Sequence, residues 1–346
     1  MISQGYAAIS AKADLTPFSF QRRELGAHDV ALDISYAGIC HSDIHQVAED
    51  WGPAIFPMVP GHEIAGVVTA IGSKVSKFAV GDKIGVGVFV DSCRTCSSCL
   101  KGLQQYCVEG MTGTYNGLER DGTTVAMGGY SNNFVINEDY AVHIPNNLPM
   151  DGVAPLLCAG ITLYSPIKHW KVGPGVKVAV MGLGGLGHMG VKFAAAMGAD
   201  VTVLSHSPGK RDDAIAMGAH HFVSTKDPEN LTPLLKSFDL ILNTVSAELD
   251  INQYLNLLKL DGTLVVIGLP GKPYAVHAGT LLNGRRSLSG SMIGGIPEMQ
   301  EMLDFCAEHQ IVSDVEVIKA DYINEAYKRT VASDVKYRFV IDATTF

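Results

Sequence analysis

The 346-residue sequence has no long uninterrupted apolar run, no basic block and few cysteines. Its most apolar stretch, residues 176–204, is broken by Lys177, Lys192, Asp200 and several glycines, so it reads as buried α/β core and not as a membrane span. Charged residues are scarce at 18%, and 26 Lys and Arg against 35 Asp and Glu give a formal net charge of −9. Such an acidic chain has no electrostatic footprint for nucleic acid or for an anionic membrane surface. Its first residues lack a basic start followed by an apolar core, so no signal peptide is expected and the chain is read as cytoplasmic. Seven cysteines are too few and too clustered for a disulfide scaffold: four lie between Cys93 and Cys107, while Cys40, Cys158 and Cys306 stand apart. In a chain without an export signal, that clustering points to metal before disulfides.

What is present is apolar material, 47% of the residues, which supports sizeable cores. The length predicts about two domains on a prior of roughly 100–200 residues each. The first 150 residues read as β-rich, with strands expected over 30–36, 64–71, 83–90 and 133–136, and with Gly38, Gly61, Gly66, Gly72, Gly81, Gly85 and Gly87 as turn or bulge positions. The two prolines in residues 56–62 force extended backbone there. Near Asp151 the pattern changes. A helix is predicted over 154–168, then strands over 178–181, 201–204, 240–244 and 263–268 alternate with helices over 187–197, 212–217 and 251–258. That rhythm is the signature of a doubly wound parallel sheet, an α/β arrangement. A helix over 297–309 and an extended piece over 337–341 close the chain.

Gly182-Leu183-Gly184-Gly185-Leu186-Gly187 follows the 178–181 strand and opens a helix. In this G-x-G-x-x-G context the first glycine permits the tight turn, the second lets backbone approach a pyrophosphate, and the third lets helix and strand pack closely. The helix N-terminus then offers free N–H groups to the phosphates. Cofactor choice is read at the end of the next strand, where an NAD enzyme wants a carboxylate. This chain has Ser205, His206, Ser207, Lys210 and Arg211 there, and Asp200 sits at the strand's other end. Two hydroxyls and two cations fit a 2′-phosphate, so NADP(H) is expected.

Cys93, Cys96, Cys99 and Cys107 supply four thiolates, enough for a closed tetrahedral zinc shell in a lobe over about residues 91–110. A zinc ribbon reading nucleic acid is excluded by charge, since only Arg94 and Lys101 accompany the cysteines. Cys40, His45, His62, Glu63 and Cys158 form a second, scattered constellation whose members each have an ordinary reading taken singly: a lone cysteine is usually a buried small hydrophobe. Cys306 keeps that reading.

Taken together, Gly61-His62-Glu63, the four-cysteine lobe and the glycine loop, in this order, resemble the medium-chain, zinc-dependent alcohol dehydrogenase family over essentially the whole chain. The strings from Cys40 to Asp43, Leu156 to Gly160 and Lys336 to Val340 resemble its cinnamyl alcohol dehydrogenase branch, including broad-range bacterial aldehyde reductases. The resemblance implies a GroES-like catalytic domain, residues 1–151 plus 292–346, around a Rossmann domain at 152–291, with the active site in the cleft between them. It implies a catalytic zinc on Cys40, His62 and Cys158, with Glu63 entering the shell transiently, and so two zincs per chain. Three protein ligands leave one position for an alcohol or aldehyde oxygen. By the same carry-over Ser42 exchanges the substrate proton, His45 relays it, and Asp43 orients His62. Thr162, Thr244, Gly268, Ser291 and Arg338 are expected to touch the cofactor, and a homodimer is expected.

One departure concerns the substrate. Where plant monolignol enzymes place a bulky aromatic soon after the fourth lobe cysteine, this chain has Met111 to Thr114. Trp51, Ile55 and Met111 are candidate walls for apolar aldehydes. The expected reaction is NADP-dependent interconversion of primary alcohols and aldehydes. A polyol or secondary-alcohol dehydrogenase is the rival within enzymes, and Cys158 in place of Glu speaks against it. A nucleotide-binding protein without catalysis is the rival of another class, and it would be expected to lack zinc ligands or relay groups.

Overall fold

The computed structural model describes all residues, Met1–Phe346, and the chain divides into two compact units, Met1–Ile161 with Gly294–Phe346, and Thr162–Ile293. The first boundary thus falls ten residues beyond the expected 151/152, and the second two residues beyond 291/292. The reason is local packing: a Cβ on Gly152 would lie 2.9 Å from Val312, and the Ser313 N–H donates to Gly152 O at 3.1 Å. Residues 152–161, which carry Cys158, therefore belong to the β-rich unit.

That unit is built on a seven-stranded sheet. Val315–Ile318 pairs in parallel with Arg338–Asp342, which continues antiparallel through Asp29–Gly38, Ile64–Ile71, Lys83–Val86 and Ala141–His143. Asn133–Asn137 also pairs with Asp29–Gly38. The central strand Asp29–Gly38 buries Val30, Ala31, Leu32 and Ile34, and each large apolar side chain so removed from water is worth roughly 1.5–3 kcal/mol. The expected 83–90 strand is divided into Lys83–Val86 and Phe89–Asp91. At the break a Cβ on Gly87 would meet Leu157 O at 2.9 Å, so only glycine allows this approach. A hairpin of Ile2–Ala7 and Thr16–Gln21 went unpredicted.

The second unit carries a six-stranded, all-parallel sheet in the order His221–Ser224, Asp200–Ser205, Lys177–Met181, Phe238–Asn243, Leu258–Val266 and Ser287–Gly290. Numbered along the chain, that is order 3-2-1-4-5-6, the doubly wound topology with its switch point beside Lys177–Met181. Its core includes Ala179, Met181, Leu204, Ile241, Leu255, Leu258 and Leu264, nearly all fully buried. Near-continuous apolar runs such as residues 178–181 are what a sheet covered on both faces requires.

The predicted helix over 154–168 is corrected. Ala154–Leu157 is a 3-10 turn, Cys158 leaves the helical region at φ −127°, ψ −69°, and the α-helix runs over Ala159–His169. No single helix is long and apolar enough to cross a membrane.

Candidate active site

Cys40 stands just before the short helix His41–Val47, His62 and Glu63 precede the strand Ile64–Ile71, and Cys158 occupies the break described above. The fold brings all four together, with their ligand atoms within 4.8 Å of one another and all four residues buried. Cys40 Sγ and Cys158 Sγ are 3.9 Å apart, and His62 Nε2 is 3.2 Å from Cys158 Sγ. Two sulfurs on a tetrahedral zinc with bonds of about 2.3 Å stand about 3.8 Å apart, so the spacing fits that ion. The other ring nitrogen, His62 Nδ1, meets Asp43 Oδ1 at 3.0 Å, which leaves Nε2 as the metal-facing atom.

The electrostatics of the set suit a bound cation. The Cys40 thiol is held well below its ordinary range, first by hydrogen bonding with Cys158 and further by His62 and Arg338 against the effect of burial. Its partner Cys158 is pushed well up by the Cys40 hydrogen bond and by burial. Burial pushes Glu63 up to about 8, although Arg338 opposes it. One oxygen of Glu63 takes the Arg338 guanidinium, while Oε2 is buried without a hydrogen-bond partner. Two thiols, an imidazole and an orphaned carboxylate oxygen in one dry place make a donor set that a divalent metal satisfies.

Ser42 Oγ lies 3.6 Å from Cys40 Sγ, at the set's edge. His45, one turn along the same helix, is partly exposed, with Nδ1 2.8 Å from Asp50 Oδ2 and its ring 5.0 Å from that of Trp51. Ile55 is held by its N–H to Asn116 Oδ1 at 2.8 Å, and Trp51 and Met111 both retain exposed surface. Sequence reasoning missed three tyrosines near the set, Tyr115 and Tyr130 buried and Tyr327 half-buried. The Tyr115 ring stacks near His62 at 5.9 Å, the Tyr130 hydroxyl donates to Asp43 Oδ2 at 3.0 Å, and the Tyr327 hydroxyl lies 3.5 Å behind that of Tyr130. Burial, then the charge of Asp43, pushes all three phenols well above their ordinary range. No motif announces them, because their partners are distant in the chain.

The four lobe cysteines also converge, helped by the one-turn helix Ser97–Leu100. Cys93 Sγ and Cys99 Sγ are 3.8 Å apart, again the tetrahedral edge. Backbone N–H groups of Cys96 and Cys93 donate to Cys93 Sγ and Cys107 Sγ at 3.3 and 3.4 Å. Backbone donors from Cys99 and Val108 hold the Cys96 thiol down to about 6, whereas burial pushes Cys99 up to about 11. Four thiolates complete a tetrahedron and leave no position for a substrate.

In the parallel-sheet unit the glycine loop leaves Met181. Gly182 adopts φ +86°, a Cβ on Gly187 would fall 2.0 Å from Gly182 O, and a Cβ on Gly184 would meet nothing within 4 Å. The first and third glycines are thus demanded by backbone conformation and packing, while the second faces open space of the kind a pyrophosphate would fill. Gly185 and Leu186 complete the loop, and the helix Gly187–Ala196 begins at once. Lys210 Nζ donates to Leu183 O at 2.7 Å, which brings that cation to the loop. Arg211 goes elsewhere: its guanidinium donates to Phe222 O at 3.3 Å and lies 5.7 Å from the Phe222 ring centre. Ser205 ends the Asp200–Ser205 strand, its Oγ accepting from the Ser207 N–H at 3.3 Å, and His206 and Ser207 are exposed.

The single-position expectations divide. Thr244 Oγ1 donates to Met181 O at 2.6 Å, so it braces the loop's first turn. A Cβ on Gly268 would meet Val245 O at 2.6 Å, a packing role. Thr162 is buried on its helix, and the Ser291 N–H donates to Val266 O at 3.2 Å. Arg338 lies in the β-rich unit, buried, donating to Ile39 O at 2.8 Å as well as to Glu63, so it has a role at the metal set that the resemblance did not give.

Residues 26–146 match the alcohol dehydrogenase GroES-like domain family, and residues 185–308 match the zinc-binding dehydrogenase family. The chain is 61% identical over 341 residues to NADP-dependent alcohol dehydrogenase C 1 of Mycolicibacterium smegmatis, covering 98% of this chain and 97% of that protein. The solved structure of the cinnamyl alcohol dehydrogenase SbCAD4 from Sorghum bicolor shares 44% identity and a TM-score of 0.96, covering 99% of this chain and 98% of that one. The CAD of Helicobacter pylori, solved in complex with NADP(H), shares 43% identity and a TM-score of 0.94, with 99% of each chain covered.

Proposed function

The chain belongs to the zinc-dependent alcohol dehydrogenase family, and from that premise we propose that it is an NADP-dependent enzyme interconverting primary alcohols and aldehydes. The observation that carries the reading is the buried set of Cys40, His62 and Cys158, whose 3.9 Å sulfur separation fits a zinc on three protein ligands, the fourth position going to substrate or, between turnovers, to the unpaired Glu63 oxygen. Zinc bound there supplies Lewis acidity to the substrate oxygen, and a second zinc on Cys93, Cys96, Cys99 and Cys107 supplies folding energy.

The chain's own residues do the rest. Asp43 holds His62 with Nε2 toward the sulfurs. Ser42 passes the substrate's hydroxyl proton, and His45 hands it to water, its ring held by Asp50. The loop from Gly182 to Gly187 takes the pyrophosphate. Ser205, His206, Ser207 and Lys210 take the 2′-phosphate, because no carboxylate stands there to repel it. Arg211, engaged with Phe222, contributes charge at longer range. Thr162, Thr244, Gly268, Ser291 and Arg338 complete the proposed cofactor surroundings. Trp51, Ile55 and Met111 are proposed as apolar walls that admit many aldehydes, and aldehyde reduction is the favoured direction. Six thiolate ligands fit a reducing compartment, which supports a cytoplasmic enzyme. The family resemblance supports a homodimer.

The test is kcat/KM for NADPH and NADH with a panel of aldehydes at fixed ionic strength. A preference of about 10²-fold for NADPH is expected from two charge-assisted hydrogen bonds of roughly 1.5–3 kcal/mol each. Ser205→Asp should reverse its sign. Equal use of both cofactors by the unmodified protein overturns the 2′-phosphate reading, and no turnover with any aldehyde or alcohol overturns the enzyme reading.

A further inference from the structure

Asp43 is a carboxylate with no exposed surface, set between the two segments that supply Cys40 and His62. Its Oδ1 accepts from His62 Nδ1 at 3.0 Å and from the Gly61 N–H at 3.2 Å, and its Oδ2 accepts from the Cys40 N–H at 2.9 Å. Those donors come from ligands or their chain neighbours. A further donor does not: the Tyr130 hydroxyl, 87 residues away in sequence, reaches Oδ2 at 3.0 Å. The Tyr130 ring is pressed against the turn before His62, since a Cβ on Gly61 would fall 2.5 Å from Tyr130 Cδ1.

The segment that presents this ring is itself fixed. The Gly128, Gly129 and Tyr130 N–H groups donate to Val59, Gly61 and Pro60 carbonyls at 2.7, 2.8 and 2.9 Å. From the other side the buried Arg22 guanidinium donates to Gly128 O and Ser131 Oγ, each at 2.7 Å. Behind Tyr130, the Tyr327 hydroxyl donates to the Tyr130 oxygen at 3.5 Å, and such a chain polarises the next O–H as a donor.

We propose that Tyr130 is a positioning residue for the Cys40–His62–Cys158 metal set, acting through Asp43. Its hydroxyl fixes the rotation of the Asp43 carboxylate, and that carboxylate fixes the plane and tautomer of the His62 ring. Space filling alone would need no hydroxyl, because phenylalanine has the same ring. This inference rests on the zinc reading of that set.

The test uses full-length protein with Tyr130→Phe and follows zinc transfer to a chromogenic chelator, with the Cys93–Cys107 lobe of the same molecule as internal reference. The unmodified protein should hold two zincs. In the variant, one zinc should bind several-fold to about 10-fold more weakly, at or below the low end of what losing a ligand's direct partner such as Asp43 costs, because Tyr130 stands one hydrogen bond further out, while the other is unchanged. The visible bands of cobalt substituted into the buried set should shift as well. Unmodified affinity for both zincs with an unchanged cobalt spectrum overturns the proposal, even if the Tm falls. Fewer than two zincs in the unmodified protein overturns the zinc reading and the proposal together. Tyr327→Phe leaves Tyr130 in place and removes a donor to it, so it carries the test if Tyr130→Phe does not fold. A smaller weakening confined to the same zinc is expected, and none overturns the proposal.

Discussion

The β-rich unit holds two cysteine-bearing sets that look alike in composition and differ in construction. Cys93, Cys96, Cys99 and Cys107 come from one short segment, are half-buried to buried, and are tied by backbone N–H groups of their own loop. Cys40, His62, Glu63 and Cys158 come from three distant segments, are all buried, and are tied by side chains that are themselves held by others. The first set closes its own shell with four sulfurs. The second offers two sulfurs and one nitrogen, with a carboxylate oxygen in reserve. A local loop with four thiolates can stabilise the fold and do little else, whereas a set assembled from distant segments can keep a position for substrate.

The largest expected effect comes from removing one ligand on each side. Cys158→Ser should leave the Tm within a few degrees and lower kcat by about three orders of magnitude, as the loss of several kcal/mol of Lewis-acid stabilisation implies. Cys96→Ser should do the reverse: one zinc lost by metal analysis, a marked fall in Tm, and turnover that follows the folded fraction. If both variants lose stability and activity alike, the contrast between the sets is wrong.

A smaller effect tests the proton route proposed beside the buried set. His45→Gln should keep both zincs and NADPH affinity but slow turnover by about 10²-fold, with an altered pH profile. An unchanged pH–rate profile removes His45, and with it Asp50, from the mechanism.

The smallest effect is one of thiol chemistry in metal-free protein. Backbone donors hold Cys96 down to about 6, so at pH 7 it is mainly thiolate, whereas Cys99 at about 11 is thiol. Iodoacetamide at pH 7 should therefore label Cys96 well before Cys99, and lowering the pH through 6 should slow Cys96 by protonating it. Mass spectrometry of the peptides reads this directly. Equal labelling of the two cysteines would show that the loop does not distinguish its sulfurs.

The same contrast explains what was legible beforehand. The doubly wound sheet could be read from alternating runs, and its strands at Lys177–Met181 and Asp200–Ser205 lie within a residue of expectation at every end. The error at 154–168 is instructive. Ala154 to Lys168 reads as one apolar helix, yet the chain breaks it at Cys158, because the thiol must turn toward Cys40 and His62. Arg211 was grouped with Lys210 by adjacency, but neighbours on a helix face different directions, and Phe222 took the arginine.

By itself the sequence determined the features whose partners lie close along the chain. These are the glycine loop, where backbone conformation at Gly182 and packing at Gly187 demand glycine, and the cysteine lobe, where fifteen residues supply a whole shell. Only the tertiary structure decided the rest. Cys40 meets Cys158 across 118 positions, His62 meets Cys158 across 96, Tyr130 meets Asp43 across 87, and Arg338 meets Glu63 across 275. No local propensity encodes such pairings. They exist because a buried carboxylate or thiol must find a partner wherever the packed chain offers one, and that offer is made only once the sheet has formed.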